Sequence, residues 1–514
     1  GNEERKAVLG NNGKGIDLRI EQNYNVGADQ VEKVKDGDWY RIKGYTTKNK
    51  FNGSITITVR KLDPISAPPL RTDDEENKRV ELHLHTNMSA MDGCSNVEDY
   101  FKLAKNMGHT ALAVTDHGNV QGFVKVQKFA KETGIKPIYG CEFYMVNDKL
   151  PFALNPADRR LRDAEYIIFD LETVGLSSRY DGITEFGAVK YSHGQIVDEI
   201  DILINPEMPI PELIQQKTRI TDAMVKDAPT IKDVMPRILQ FFGEAILVSH
   251  NIVFDVGFIN EALRKLGQEP LKNPAIDTLS LSRYLFPEAN KHTLGTLSRN
   301  LGITTYSDEE AHRANYDAKI LCDVWLAILV RLTNDNMDIK HSDLAALKVS
   351  TTMYKHMRPG HVVALAKNKK GLQQLYTLVT KSSTEYLADI PKTPMTLISE
   401  LRSDLLIGSA CFNGDVFDTA RTRSKEVLKE VISFYDYIEI QPLENYSYLV
   451  NTNALTQEQV IRCVKDIIEA AEELGKIVVA TGDVHYRDPE DKITRDILIS
   501  TLGFGKNPHP LSDA

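Results

Sequence analysis

One set of acidic and imidazole side chains lies inside another along this chain. Asp170-Leu171-Glu172, Asp255, His312 and Asp317 fall between residues 165 and 330. A second set flanks that block, opening with His83-Leu84-His85 and closing with Asp483-Val484-His485. If each set forms one site, the outer unit must be completed by residues on both sides of the inner one. The order therefore predicts a host domain split by an insertion.

At 514 residues the chain has room for about three domains. Hydrophobic residues make up 42% and charged residues 26%, the balance of a globular protein that buries real cores. No run approaches the roughly 18 apolar residues of a membrane span. Cys94, Cys141, Cys322, Cys411 and Cys463 are scattered without a CxxC pair, which predicts a reducing, cytoplasmic setting. The first residues, GNEERKAVLG, carry neither an initiator Met nor a signal-peptide pattern and read as the edge of a fragment. The net charge of −10 does not decide the partner, because metal sites consume carboxylates without making the rest of the surface acidic.

Residues 1–63 read as β, with Ile55, Ile57 and Val59 alternating with threonines and a turn at Asn52-Gly53. Three prolines and an acidic cluster make 64–79 a linker. From Val80, short apolar strands alternate with helices, at 111–118 and 137–146 and again at 361–366, 404–410, 436–442 and 476–485. This repetition predicts a parallel β/α barrel or sheet, built from 80–160 and 336–514. His117, Glu142, Cys411, Asp483 and His485 fall at or just past strand ends, where such folds gather their active sites. The insertion, 161–335, reads as a compact α+β unit with strands at 165–173 and 246–251 and helices at 255–266 and 316–332.

Asp170 and Glu172 are two apart on a strand and share a face. Asp255 and Asp317 each start a helix, so four carboxylates converge from separate elements and repel one another unless cations neutralise them. Hard oxygen ligands suit Mg²⁺ or Mn²⁺, and two such ions assist phosphodiester displacement. His312 is placed to take a proton from attacking water. The stretches FDLETVG, VSHNIVFDVGF and HRANYDAK resemble the DEDDh 3′→5′ exonucleases, which have an RNase H-like α/β fold. The resemblance implies Asp170, Glu172, Asp255 and Asp317 as metal ligands and His312 as general base. It also implies Thr173, His250, Asn251 and Phe254 as substrate-side residues. Val174 departs from the family, which usually has a second Thr there.

The outer set comprises His83, His85, Asp92, His117, Glu142, His361, Cys411, Asp483 and His485. Imidazoles with carboxylates and one thiolate favour Zn, Mn or Fe. An HxH on a strand puts both rings on one face. His109, His193 and His341 read instead as ordinary core or surface histidines. The series resembles the PHP (polymerase and histidinol phosphatase) domain, a distorted β/α barrel, and implies a trinuclear metal centre.

A PHP domain interrupted by a DEDDh exonuclease, behind a β fragment, resembles the N-terminal part of the PolC-type DNA polymerase III family. RVELHLHTNMSAMDG, KNPAIDTLSLSRYLFPE and VHYRDPEDK extend the match. The resemblance makes 1–63 a fragment of an OB fold, in which Trp39, Tyr40 and Lys43 are candidates to meet single-stranded DNA. It implies primer–template DNA, a polymerase half and replisome components such as the sliding clamp as partners. No palm carboxylate motif is visible within the 514 residues. Two other classes compete: a PHP phosphoesterase for small molecules, and a non-catalytic DNA-binding scaffold.

Overall fold

The protein is described from a computed structural model, covering residues 4–11, 14–21, 39–48, 55–66, 72–347, 350 and 352–500. The expected turn at Asn52-Gly53, residues 67–71 of the expected linker and residues 501–514 of the outer unit lie outside them.

In chain order the strands begin with β1 (Glu4–Asn11), β2 (Lys14–Glu21), β3 (Trp39–Lys48) and β4 (Ile55–Ile65). β5 (Ala111–Val114) and β6 (Lys136–Val146) follow. The middle block holds β7 (Ala153–Leu154), β8 (Tyr166–Thr173), β9 (Ile183–Ser192), β10 (Gln195–Leu203), β11 (Ile246–Ser249) and β12 (Ala275–Asp277). The last block holds β13 (Gly360–Ala366), β14 (Lys392–Pro394), β15 (Leu405–Gly408), β16 (Tyr437–Ile440) and β17 (Ile477–Ala480). The described residues form a mixed α/β protein with three sheets. No helix among the described residues is long and apolar enough to cross a membrane.

The first sheet has the order β1-β2-β4-β3. Trp39 and Lys43 are exposed on it and Tyr40 is half-buried.

The middle sheet has the order β10-β9-β8-β11-β12-β7. β8 runs parallel to β11 and antiparallel to β9. One face buries Phe169, Phe186 and Phe242; the other buries Tyr166, Ile168 and Trp325 of the helix Ala314–Asp335. Sheet and core reach slightly beyond 161–335, taking in Phe152 and β7 at one end and Ile339 and Leu344 at the other. Backbone bonds tie the two ends together, from His341 N to Arg159 O at 2.9 Å and from Ser342 N to Ala157 O at 3.0 Å.

The third sheet, β14-β6-β13-β15-β16-β17 with β5 beside β6, is curled. Single bridges from Glu81 to Leu112 and from Leu84 to Val484 place the segment 81–84 between β5 and the residues after β17. Two expectations need correction. The sheet is mixed, not parallel, because β13 runs antiparallel to both β6 and β15. Apolar runs report burial and carry no direction. His83 and His85 lie in an extended segment held by isolated bridges, not in a regular strand.

Candidate active site and metal centre

Asp170 and Glu172 stand on one face of β8, opposite Gly187 and Glu185 of β9. The N-terminus of the helix Ala314–Asp335 rests on β9 so closely that a Cβ at Gly187 would sit 2.2 Å from Ala314 C and from Asn315 N. Glu185, fully buried, accepts from Ala314 N at 2.7 Å and from Arg313 Nε at 3.0 Å, fixing the helix start. One turn on, Asp317 accepts from His312 N at 2.9 Å. This holds His312 in the left-handed region at φ 66°. The Arg219 guanidinium, through hydrogen bonds to the carbonyls of Glu309, Glu310 and Ala311, pins the loop that leads to it.

Asp255 comes from the helix Ile252–Lys265 and accepts the Ser249 hydroxyl. Asp277, buried at the end of β12, accepts from Asn251 N and Ile252 N at 2.8 and 3.1 Å. Those bonds hold Asn251 at φ 80°, starting the Asp255 helix in the required place. Glu185, Gly187 and Asp277 were not identified from sequence. Asp277 lies in KNPAIDTLSL, a stretch that resembles the family without marking the residue, and the other two carry no local signal.

The electrostatics are those of a site built for cations. Burial pushes Asp170 well above the usual carboxylate range, reinforced by Asp255, Glu172 and Asp317. Burial and Asp317 push Glu172 up to about 8. Burial lifts Asp255 to about 7 and Asp317 to about 6. Asp317 Oδ1 is buried without a hydrogen bond. Ligand atoms of Glu172, His312 and Asp317 lie within 4.8 Å of one another. His312 is pulled below the ordinary histidine value by burial and by Lys217 and Arg219, so its ring is neutral and free to accept a proton near pH 7.

The substrate-side candidates divide. Phe254 is half-buried against Phe258, with ring centroids 4.8 Å apart. The Thr173 hydroxyl donates to Gly175 O at 2.7 Å. His250 uses both ring nitrogens internally, 3.1 Å from Thr278 Oγ1 and 2.8 Å from His292 O. Val174 packs with Ile210, Ile220 and Val225.

All nine outer candidates meet at one end of the curled sheet. Glu142 lies at their centre: its Oε2 is 2.6 Å from His83 Nε2 and 3.1 Å from His85 Nε2, and its Oε1 approaches His361 Nδ1. Asp483 Oδ1 is 3.4 Å from both His83 and His85. Asp92 Oδ2 lies 3.1 Å from His117 Nε2 and 3.2 Å from His485 Nε2. Cys411 Sγ is 3.4 Å from His361 Nδ1. Three overlapping ligand groups result: His85, His117 and His485; His83, His85, Glu142 and Asp483; and Glu142, His361 and Cys411.

Despite these approaches, His85 Nε2, His117 Nδ1, Glu142 Oε1 and Asp483 Oδ1 make no hydrogen bond. Buried polar atoms that converge but do not pair are what a metal-ligand set leaves when the protein alone is considered. Burial lowers the basicity of His83, yet Asp483, Glu439 and Glu142 outweigh it and hold the ring well above its usual value. Burial, with His117 and His485, lowers His85. Glu439, which sequence reasoning missed, sits 2.9 Å from His83 Nδ1 and accepts the Thr481 hydroxyl at 3.0 Å. It orients the His83 ring from behind. Outside the cluster, His341 is buried with Nε2 3.0 Å from Ala275 O, and His109 Nδ1 lies 3.1 Å from Arg79 O.

Residues 167–325 match the exonuclease family. DNA polymerase III PolC-type of Bacillus subtilis is 39% identical over 482 residues, 93% of this chain. Over nearly all of its length the chain is similar to PolC-type DNA polymerases III. The Lacticaseibacillus paracasei protein of the same name is 38% identical over 94% of the chain. The chain spans 33% of the length of each of these two relatives. Among solved structures, exonuclease X in complex with 5′ overhanging duplex DNA is 32% identical, covering 35% of this chain and 99% of that one, at a TM-score of 0.27.

Proposed function

We propose that this chain is the proofreading portion of a replicative, PolC-type DNA polymerase. Its inserted unit, residues 161–335, would hydrolyse the 3′-terminal phosphodiester of a mispaired primer and release a deoxynucleoside monophosphate. The observation that carries this reading is the convergence of Asp170, Glu172, Asp255 and Asp317, all with raised proton affinity, beside a neutral His312. Four such carboxylates fit two Mg²⁺ or Mn²⁺ ions, which when bound stabilise the attacking and leaving oxygens. His312 takes the proton of the attacking water through its ring, and Asp317 holds that histidine by its backbone. Phe254, Thr173 and Asn251 line the place for the terminal nucleotide, and His250, fixed by Thr278 and His292, precedes Asn251 there. A mispaired end is favoured because it costs less to unpair.

The outer unit, 80–160 with 336–514, reads as a PHP barrel whose nine ligands fit Zn²⁺, Mn²⁺ or Fe. Residues 1–63 read as an OB fragment for single-stranded DNA, and 64–79 as the linker. Polymerase and clamp contacts belong to the rest of such a protein, in the cytoplasm.

The test is degradation of a mismatched primer–template in Mg²⁺ or Mn²⁺ by this chain and by His312→Ala. Loss of nucleotide release in the variant is expected. Equal release by both would move the activity to the outer cluster and defeat the assignment.

A further inference from the structure

The inserted site is not built from the inserted unit alone. Arg423 belongs to the host: it ends the helix Asp415–Thr422, and its N–H donates to Thr419 O at 2.8 Å. Its guanidinium carbon lies 6.0 Å from the centroid of the Phe254 ring, one residue before Asp255. Its Nη1 is buried and has no hydrogen-bond partner. A buried guanidinium nitrogen without an acceptor is costly, whereas an arriving anion would satisfy it.

The seam between the two units explains how the arginine is held there. Residues that follow Glu172 and Thr173 dock on the host helices. Ser178 N donates to Thr422 O at 3.4 Å, and Arg179 pairs with Asp466 at 2.7 Å. The Tyr180 hydroxyl donates to the same Asp466, and Arg462 lies 4.4 Å over the Tyr180 ring. The neighbouring Arg421 is already tied to Asp418 at 2.5 Å. Arg421 Nε is also buried without a partner, so what sets Arg423 apart in this seam is its guanidinium against Phe254, beside Asp255.

Resting on the exonuclease reading, we propose that Arg423, supplied by the host unit, binds a backbone phosphate of the DNA strand upstream of the terminal nucleotide. Phosphate, not base, is the chemistry to expect, because proofreading must act on any sequence and the backbone charge is the constant feature. A guanidinium presents a planar pair of donors to that group. Burial pulls Arg423 below the ordinary arginine value, and Asp418, Asp255 and Asp277 oppose that pull by favouring the charged form.

The test uses the whole chain with Arg423→Gln and Arg423→Lys and two substrates in Mn²⁺. One is a single-stranded oligodeoxynucleotide. The other is the p-nitrophenyl ester of thymidine 5′-monophosphate, which has no upstream phosphate. For Arg423→Gln, KM on the oligonucleotide should rise about ten-fold with kcat little changed, the scale of one lost charge-assisted hydrogen bond. The salt dependence of kcat/KM should weaken by about one ion. Hydrolysis of the ester should stay within about two-fold, and Arg423→Lys should fall between. An unchanged KM on the oligonucleotide, with His312→Ala inactive, would overturn the assignment while sparing the exonuclease reading. Equal losses on both substrates with a lower Tm would also overturn it, making Arg423 a strut of the seam. If His312→Ala keeps full activity, the exonuclease reading itself falls and takes this one with it.

Discussion

Gly187→Ala puts the geometry of the inserted site to a severe test with a single methyl group. The new Cβ would meet Ala314 C and Asn315 N at 2.2 Å and Ala314 O at 2.5 Å, all backbone atoms. Restoring the 3.4 Å of ordinary contact requires the helix Ala314–Asp335 to move off β9 by about 1.2 Å, the difference between those distances. His312 and Asp317 ride on that helix start, while Asp170 and Glu172 stay on β8. A displacement near 1 Å costs about 100-fold where reacting groups must be aligned. Overpacking of this kind costs about 1–3 kcal/mol of stability. The variant should therefore fold, lose a few degrees of Tm and lose about two orders of magnitude in kcat for nucleotide release. Wild-type kcat in a protein whose Tm has fallen would refute the claim that this contact sets the register of the site.

Two further outcomes follow from the charge arrangement. Carboxyls raised in the folded state lower stability once ionised, so the metal-free protein should lose stability as pH climbs from about 4 to about 8, through Asp317 near 6, Asp255 near 7 and Glu172 near 8. In chelator, Asp255→Asn should be more stable than the wild type at pH 8, by on the order of a few kcal/mol, with a smaller gap at pH 5. Thermal melts showing the same gap at both values would contradict this. At the outer cluster, Glu439→Gln removes the carboxylate behind His83 and should cut metal affinity about 10–100-fold, read as metal content after dialysis, while oligonucleotide hydrolysis persists.

The sequence displays residues whose chemistry is written in pairs. DxE, H-x4-D, HxH and DVH announce themselves because two ligand types recur at a spacing that puts them on one face or one turn. The structure gathers all of them. Glu185, Gly187, Asp277, Glu439 and Arg423 are different: each acts through a partner far along the chain, such as Arg313 or Phe254, to which no local pattern points. Strand direction was equally hidden, since β13 is as apolar as a parallel core strand yet runs against both neighbours. His250 adds what its motif leaves unsaid: the fold fixes its ring through Thr278 and His292.

The antiparallel pairing of β6 with β13, His361 opposite Tyr144, bears on the order in which the chain can fold. Residues 147–359 separate those strands, 213 positions that an unfolded linker would have to close. Relative to a ten-residue loop, that closure costs about 3 kcal/mol more. Once the insert has folded, its ends at 157–159 and 341–342 are already hydrogen-bonded together, and most of that entropy has been lost beforehand. On a ribosome the insert also emerges complete before β13 exists. The inserted unit would then act as a folding template for the domain that surrounds it, and a variant that delays its folding would show first as a failure of the host.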